Sequence, residues 1–176
     1  MPLPEIRTNR LLLRSFRRED AAALHALWTA PEVRRYLWDD VIIASGTVRE
    51  IVEAHLDTEL RLGIGFWTIA LLGEPPIIGF CGFRPVDSGP EIELLYGLRG
   101  EHWGGGLATE ACLAAIEYLW RSTDYPRVYA RTDPPNDRSI QLLRRLGMAH
   151  ESATATMAAY SLPRPRAWQI GSGHVK

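Results

Sequence analysis

The succession of short apolar strands and amphipathic helices along this chain predicts an α/β fold, a mixed sheet covered by helices. Three observations carry the prediction: short β-branched or aromatic runs after Gly65, a strong amphipathic pattern after Gly106, and a strand followed by a helix from Arg127 onwards. With 176 residues, 46% of them apolar, the chain is long enough for one good core and short for two. We therefore expect a single domain over residues 1–176.

The first half of the chain is predicted to hold a strand, two helices and a hairpin. Apolar residues recur at helical spacing after Arg18, and Gly73-Glu74-Pro75-Pro76 separates two apolar runs as a hairpin turn does. The expected elements are a strand over Arg10–Phe16, a helix opening at Arg18–Asp20, a helix over Thr47–Leu60, and strands over Phe66–Leu72 and Ile77–Phe83.

The second half is predicted to alternate strands and helices before two closing strands. Leu107, Ala111, Ala115 and Leu119 form one apolar stripe, and Gly147 supplies a helix stop. The expected elements are a strand over Glu91–Leu98, a helix after residue 106, a strand over Arg127–Thr132, a helix over Asn136–Leu146, and strands over Ser152–Tyr160 and Arg166–Ile170.

Charge and composition exclude several classes of function. The net charge is −1, from 20 basic and 21 acidic side chains spread along the chain, so we expect neither a nucleic-acid nor a membrane partner. The start lacks a signal-peptide pattern and no run of about 18 apolar residues occurs, which predicts a cytoplasmic protein. Cys81 and Cys112 lack the neighbouring Cys or His residues of a metal site. We expect buried, reduced thiols and no metal.

Three consecutive glycines, Gly104 to Gly106, stand between a strand and a helix. Such a turn lets the backbone approach a ligand and directs free N–H groups of the first helical turn at an anion, typically a pyrophosphate. Alternatively, the three glycines form merely a flexible connection, since glycine is the ordinary residue of tight turns. A P-loop is excluded because Leu107-Ala108 stands where Lys and Ser or Thr are needed. A dinucleotide site is disfavoured by the five residues that separate strand and glycines, although Asp133 after the next strand keeps it open.

Four motifs follow one another in an order shared with a known family. They are Thr8–Arg14, Pro31–Leu37, His102–Ala111 with the pattern aromatic-Trp-Gly-x-Gly-x-Ala-Thr-Glu-Ala, and Asn136–Ser139 followed by Leu146-Gly147-Met148. On these residues the chain resembles the GNAT acetyltransferases, in particular the branch of ribosomal-protein N-terminal acetyltransferases. Pro31–Leu37 looks like the segment that connects two helices in that branch.

The resemblance implies the GNAT fold, a mostly antiparallel sheet of six to seven strands flanked by about four helices. It also implies an acetyl-CoA-dependent N-acetyltransferase, acting by direct attack in a ternary complex on a primary amine, either a protein N-terminus or a small molecule. We expect a monomer or homodimer. The alternative is a non-catalytic acyl-CoA-binding sensor or interaction module on the same fold.

By the same resemblance, backbone N–H groups of the signature turn hold the coenzyme A pyrophosphate. Trp103 replaces the Gln or Arg usual in the superfamily, although it is normal for this branch. A backbone N–H near Leu95 or Tyr96 is implied as the donor to the acetyl oxygen, and Asn136 as a contact of the pantetheine arm or, independently, a helix N-cap. The implied cofactor-binding residues are Leu95, Trp103, Gly104, Gly105, Gly106, Leu107, Ala108, Thr109, Asn136 and Ser139.

Acetyl transfer to an amine needs a neutral nucleophile and help for the departing thiolate. Glu91 and Glu93 lie two apart on one predicted strand, so both are expected on one face; Glu93 matches the acid of this branch and is our general base, acting through water. Alternatively, both glutamates only solvate an open sheet face. Many GNAT enzymes carry a Tyr where this chain has Leu143, so Ser139 is the candidate partner of the sulfur.

The remaining candidates are weaker. Tyr160 and His102 are lesser possibilities for proton transfer. The first helices and the last hairpin, which wall the acceptor side in relatives, are rich in aromatic residues that we expect mostly in the core: Trp28, Tyr36, Trp38, Trp67 and Trp168.

Overall fold

The computed structural model describes residues 3–86 and 91–168. Its strands are β1 (Ile6–Arg7), β2 (Leu11–Ser15), β3 (Phe66–Leu71), β4 (Gly79–Pro85), β5 (Ile92–Leu98), β6 (Arg127–Thr132), β7 (Ala149–Ala153) and β8 (Ala158–Pro163). Its α-helices are α1 (Ala21–Trp28), α2 (Pro31–Leu37), α3 (Ser45–Leu62), α4 (Leu107–Ser122) and α5 (Asp137–Arg145).

One sheet contains all these strands in the order β1-β2-β3-β4-β5-β6-β8-β7. Every neighbouring pair is antiparallel except β5 and β6, which run parallel. The predicted class, a mixed and mostly antiparallel sheet flanked by helices, is confirmed. Within the described ranges there are eight strands and five α-helices, slightly more than the six to seven strands and about four helices expected.

The extra elements are short. The two-residue strand β1 has no sequence signal of its own and forms because Ile6 pairs with Leu13. The segment expected to connect two helices is itself the helix α2, and Pro31 stands at its first helical position, where the missing N–H of proline costs nothing. Val33 anchors this helix in the core. Neither element is long enough to show a clear period in the sequence.

The expected closing strands are wrong. Residues 152–160 form no continuous strand, because a turn at Thr154 separates β7 from β8, and the Thr154 hydroxyl accepts a hydrogen bond from the Met157 N–H at 3.0 Å. Arg166–Trp168 is a 3-10 turn instead of a strand, closed by the Trp168 N–H on the Pro165 carbonyl at 2.9 Å. The rest of that expected strand, residues 169–170, lies outside the described residues.

Helices cover both faces of the sheet. On one face α4 and α5 pack on the centre, and the predicted stripe Leu107, Ala111, Ala115 and Leu119 is buried there. On the other face α1 and α3 pack through a second core that includes Phe16, Trp28 and Phe80. These two faces are called the α4 face and the α1 face below. Along β5, Ile92 and Leu94 point to the α4 face, so Glu93 and Leu95 point to the α1 face.

Both cysteines lie in the core as expected. Cys81 and Cys112 are buried and free, and burial raises the pKa of the Cys112 thiol, which also contacts Cys81. Among the helices of the described segments, none combines the length and apolar character needed to cross a bilayer.

Candidate active site

The parallel strands β5 and β6 part after two paired positions. Ile92 pairs with Val128 and Glu93 with Tyr129, and in the described residues the pairing ends there although both strands continue. Beyond Glu93 the strand β5 stays paired with β4, and β6 stays paired with β8. A wedge-shaped gap therefore opens toward the carboxyl ends of both strands, the usual place for a ligand between parallel strands.

The glycine turn and α4 follow β5 at the open end of this gap. Gly104 and Gly106 have φ of +81° and +75°, in the left-handed region that favours glycine. Within residues 3–86 and 91–168, no protein group accepts a hydrogen bond from the N–H groups of residues 104–109; the first N–H of the helix to find an acceptor is that of Glu110, on the Gly106 carbonyl at 3.0 Å. The turn thus presents a row of unpaired donors at the positive end of a 16-residue helix.

A clamp at Glu110 fixes the geometry of that turn. The Glu110 carboxylate accepts hydrogen bonds from the Thr8 hydroxyl at 2.5 Å, from the Arg10 N–H at 3.0 Å and from Arg10 Nε at 2.7 Å. Arg10 Nη1 then donates to the Gly105 carbonyl at 2.8 Å. Burial raises the pKa of Glu110, but the bonds from Thr8 and Arg10 outweigh it and lower that pKa overall. Arg10 thus ties the carbonyl of the turn to the carboxylate in the first turn of α4.

The ring of Trp103 supports the same turn from the other side. Its indole N–H donates to the Leu98 carbonyl at 2.8 Å, and the Arg138 guanidinium lies 4.5 Å from the ring centroid. Arg138 belongs to the first turn of α5, so this contact joins the start of α5 to the turn before α4. The starts of both helices flank the gap.

The start of α5 brings two hydroxyl groups together. Asn136 is the N-cap, as capping chemistry predicts, and its side chain accepts a hydrogen bond from the Ser139 N–H at 3.2 Å. The Ser139 hydroxyl lies 2.7 Å from the Tyr96 hydroxyl of β5. Burial raises the pKa of Tyr96, so its phenol is protonated at neutral pH. Leu143, where other enzymes carry a Tyr, is fully buried in the core.

The sequence did not predict that Tyr96 is the partner of Ser139. Ile92, Leu94, Tyr96 and Leu98 alternate on the strand, which signals an inward Tyr, but the distance to a helix 43 residues later depends on the tertiary fold. The Tyr96 hydroxyl spans the gap from β5 to α5.

Glu93 is buried between two arginines. It is 3% exposed; Arg84 Nε donates to one oxygen at 2.8 Å and Arg131 Nε to the other at 2.7 Å. Burial raises the pKa of Glu93, but the hydrogen bond from Arg131 and the charge and hydrogen bond of Arg84 outweigh it and lower the pKa overall. The carboxylate is ionised at neutral pH and is a weak proton acceptor.

The two glutamates differ in position. Glu91 is exposed and precedes β5, whereas Glu93 is in the strand, so the idea that both merely solvate an open sheet face is wrong for Glu93. Sequence reasoning missed both arginines. Arg84 pairs with Glu93 across β4 and β5, and Arg131 approaches from β6, relations that need the strand register.

Comparison with known proteins decides the family. A family model described as an acetyltransferase (GNAT) domain matches residues 10–149, which include the turn, Glu93 and Ser139. The chain belongs to the GNAT acetyltransferases. Among its relatives is an uncharacterised N-acetyltransferase, p20, of Bacillus licheniformis, 32% identical over 145 residues that make up 82% of each chain.

A further sequence relative and a solved structure of similar fold are also matched. The spermidine N(1)-acetyltransferase of Escherichia coli strain K12 is 24% identical over 140 residues, 79% of this chain and 73% of that one. The structure of RimL, a ribosomal L7/L12 alpha-N-protein acetyltransferase in complex with coenzyme A, has a TM-score of 0.78 at 18% identity and covers 91% of this chain and 98% of that one. The latter likeness shows the shared fold.

The chain is therefore an acyltransferase of the GNAT family. The dinucleotide-site interpretation of the glycine turn is wrong, because the matched family and the mostly antiparallel sheet are those of acetyltransferases. The lesser candidates lie in ordinary surroundings: Tyr160 is buried and its ring contacts His150, and the His102 ring lies beside Glu101 at 3.6 Å.

Proposed function

We propose that this GNAT protein transfers the acetyl group of acetyl-CoA to a primary amine by direct attack in a ternary complex. The observation that carries the proposal is the row of unpaired N–H groups over residues 104–109, at the open end of the gap between β5 and β6. A diphosphate supplies many acceptor oxygens to such a row, and the helix dipole favours its charge.

The residues around the gap suit coenzyme A. In the proposal, the pyrophosphate accepts hydrogen bonds from Gly104, Gly105, Gly106, Leu107 and Ala108, with Trp103 and Thr109 bounding the turn. The pantetheine arm lies in the gap, between the backbone at Leu95 on one side and Asn136 and Ser139 on the other. Acetyl-CoA supplies an activated acetyl group as thioester. The fit is supported by the clamp, in which the charge of Arg10 offsets that of Glu110, the acidic residue in the first turn of α4.

Glu93 is the proposed proton acceptor, acting through water. Its side chain points to the α1 face at the position where β5 and β6 part, so an amine that enters from this face meets the thioester near Leu95. The lowered pKa keeps Glu93 ionised, and the proton taken from the amine passes readily to solvent. The same lowered pKa requires the acceptor to bind largely as the neutral amine.

Ser139 and Tyr96 are proposed to meet the departing thiolate. A thiolate in the gap would accept a hydrogen bond from the Ser139 hydroxyl, while the Tyr96 hydroxyl donates to Ser139. A neutral phenol is a donor over the whole physiological range, which suits this supporting position. No charged group is needed for the step, in keeping with Leu143 at the usual Tyr position.

The named relatives support an amine acceptor. Spermidine and a ribosomal protein N-terminus, the acceptors in the names of two relatives, both present a primary amine. From these two acceptors we infer for this chain only that its own acceptor presents a primary amine.

Calorimetry with coenzyme A tests the cofactor site. Gly105 has ordinary φ, and no other group lies within 4 Å of the point where a β-carbon would stand, so Gly105→Leu should fold normally while obstructing the row of N–H groups. We expect coenzyme A affinity to fall at least about 10-fold in Gly105→Leu. Gly46→Ala in α3, where the added β-carbon would make only ordinary contact with Arg49 Nη2 at 3.9 Å, is the control and should bind as the unmodified chain does.

Turnover is then tested by release of free thiol with a panel of primary amines. Amine-dependent thiol release supports the proposal. Coenzyme A binding without turnover on any amine would instead favour the acyl-CoA sensor, and absence of coenzyme A binding would overturn the cofactor assignment itself.

A further inference from the structure

Two arginines hold the buried carboxylate of Glu93 from opposite sides. From β4, Arg84 Nε lies 2.8 Å and Arg84 Nη2 lies 2.7 Å from the Glu93 Oε2 atom. From β6, Arg131 Nε lies 2.7 Å from the Glu93 Oε1 atom. Each oxygen of the carboxylate is therefore bonded to a different neighbour of β5. The hydrogen bond between Arg131 and Glu93 is called the tie below.

The two arginines differ in how their strands meet β5. Arg84 is the ladder partner of Glu93, within an antiparallel ladder that covers the whole of β4 and β5. Arg131 lies two residues beyond Tyr129, at which the described pairing of β6 with β5 ends. The bond from Arg84 thus joins two strands that the backbone already joins, whereas the tie joins two strands that have parted.

The tie crosses the gap on the α1 face. Val128 and Ala130 are buried in the core of the α4 face, so the alternation of β6 directs Arg131 to the α1 face, as the alternation of β5 directs Glu93. If the parallel ladder continued, Arg131 would stand opposite Leu95. The two side chains span this offset of two residues, about 7 Å along the strand, and meet across the gap beside Leu95.

The position of the tie makes it a restraint on the width of the gap. If the gap widened, the ladder of β5 with β4 and the ladder of β6 with β8 could both be kept. The tie could not, because its two ends lie on opposite sides of the gap. A buried carboxylate that loses a charged donor is destabilised, so widening is opposed at this level of the strands.

We propose that Arg131 is a positioning residue that ties Glu93 to β6 across the gap and so fixes the width of the gap for the pantetheine arm of coenzyme A. Arg84 also holds Glu93 but does not span the gap. This inference rests on the proposed function, which places the arm between Leu95 and the start of α5. It predicts that two arginines bonded to one carboxylate differ in their effect on cofactor binding.

The variants Arg131→Gln and Arg84→Gln form a matched pair. Each removes one positive charge and one partner of Glu93, and the two arginine side chains are similarly exposed, 41% and 49%. We expect coenzyme A affinity, measured by calorimetry, to fall about 3- to 10-fold in Arg131→Gln, the effect of roughly one hydrogen bond, and by less than about 2-fold in Arg84→Gln. By contrast, kcat with a primary amine should fall in both variants, because both arginines hold the base.

Rescue by lysine tests whether the bond itself is responsible. A lysine ammonium lies one covalent bond further from the backbone than arginine Nε, so Arg131→Lys can reach the same oxygen of Glu93 and keep the tie. We expect its coenzyme A affinity to stay within about 2-fold of that of the unmodified chain. Glu93→Gln likewise keeps an oxygen that can accept from Arg131.

Arginine Nε–H resonances provide a readout that needs neither turnover nor a disruptive variant. In the unmodified chain, coenzyme A should shift the Nε–H resonance of Arg131 and slow its exchange with solvent, because the arm fills the gap beside the tie. The Nε–H resonance of Arg84 should change little. Arg131→Lys assigns the first resonance by removing it, and these spectra decide the matter if Arg131→Gln does not fold.

The inference is overturned if Arg131→Gln and Arg84→Gln lower coenzyme A affinity equally, since loss of charge or of a partner of Glu93 would then explain both. It is also overturned if coenzyme A leaves the Arg131 resonance unchanged. Either result, with normal binding of coenzyme A by the unmodified chain, leaves the proposed function intact. Absence of coenzyme A binding by the unmodified chain would instead overturn the proposed function and, with it, this role of Arg131.

Discussion

The hydroxyl oxygens of Tyr96 and Ser139 lie 2.7 Å apart and join β5 to α5 across the gap where β5 and β6 part. The pair unites a strand residue and a helix residue whose hydroxyl groups are half-buried together. Leu143, on the same helix, has no hydroxyl group, and the pair supplies one at the start of that helix.

Removal of either hydroxyl should slow the chemical step. We expect Ser139→Ala to lower kcat by about 10²-fold, and Tyr96→Phe by less, because Tyr96 acts through Ser139. If they act in series, the double variant should be no slower than Ser139→Ala alone. Steady-state kinetics at saturating acetyl-CoA measure this.

A matched phenol provides the control for that prediction. Tyr125→Phe, just before β6 and so at the end of that strand away from the gap, should leave kcat unchanged. Additive losses in the double variant would contradict a shared role of Tyr96 and Ser139.

Replacement of Glu93 by Gln should separate chemistry from cofactor binding. Glu93→Gln is expected to lower kcat by about 10²- to 10⁴-fold with coenzyme A affinity near normal. It should also lower the free energy of unfolding by about 1–2 kcal/mol, a value discounted because Arg84 and Arg131 are 49% and 41% exposed. Kinetics, calorimetry and denaturant unfolding measure the three quantities.

The pH profile of kcat/KM tests the role of Glu93 more sharply. Because the pKa of Glu93 is lowered, its titration falls below the ordinary Glu range, and the rise in rate at higher pH should follow the pKa of the acceptor amine. Changing the amine should therefore move the profile. The expectation would be contradicted if the rise in kcat/KM occurred at the same pH for every amine and disappeared in Glu93→Gln. Glu93 would then titrate within the pH range of activity.

Loss of the clamp at Glu110 should weaken cofactor binding. In Glu110→Gln the ionic bond to Arg10 is lost, and Arg10 no longer has a fixed position from which to hold the Gly105 carbonyl. We expect the KM for acetyl-CoA to rise about 3- to 10-fold and the free energy of unfolding to fall by about 1 kcal/mol.

Glu117→Gln is the control for the clamp, because Glu117 lies on the same helix and, within residues 3–86 and 91–168, pairs only with the exposed Arg121. It should change neither quantity appreciably. A normal KM in Glu110→Gln would mean that the turn keeps its conformation without the clamp.

His55 should make the fold sensitive to mild acid. Burial, reinforced by the charge of Arg84, lowers the pKa of His55 to about 4 from 6.5. The unfolded chain binds this proton first, so stability is full above pH 6.5 and is lost as the pH falls toward 4, by up to about 3 kcal/mol.

His55→Phe keeps a ring against Phe66, whose centroid lies 4.3 Å from that of His55, and removes the titration. Urea unfolding between pH 6.5 and 5, above the range of the carboxylates, should show a flatter pH dependence in this variant. An unchanged slope would place the acid sensitivity elsewhere.

Several strands and helices are predictable because their signals are local. The stripe of α4, the strand over Arg127–Thr132 and the cap at Asn136 follow from period and capping chemistry and are confirmed. The closing hairpin is missed because small and polar residues around Thr154 give no clear change of period. The helix α2 is missed because its seven residues are too few to show a clear helical period.

The class of the fold, the family motifs and the glycine turn are all legible in the amino-acid sequence, since propensity, period and a contiguous motif act over a few residues. Which groups meet depends on the folded chain: β5 and β6 part after Glu93, Arg84 and Arg131 share its carboxylate, and Tyr96 reaches Ser139. The N–H groups of Trp28 and Trp38 have no acceptor among the described residues. These relations depend on strand register and on packing between residues far apart in the chain. Strand register and long-range packing leave no local pattern in the sequence, because both arise from how distant segments are brought together.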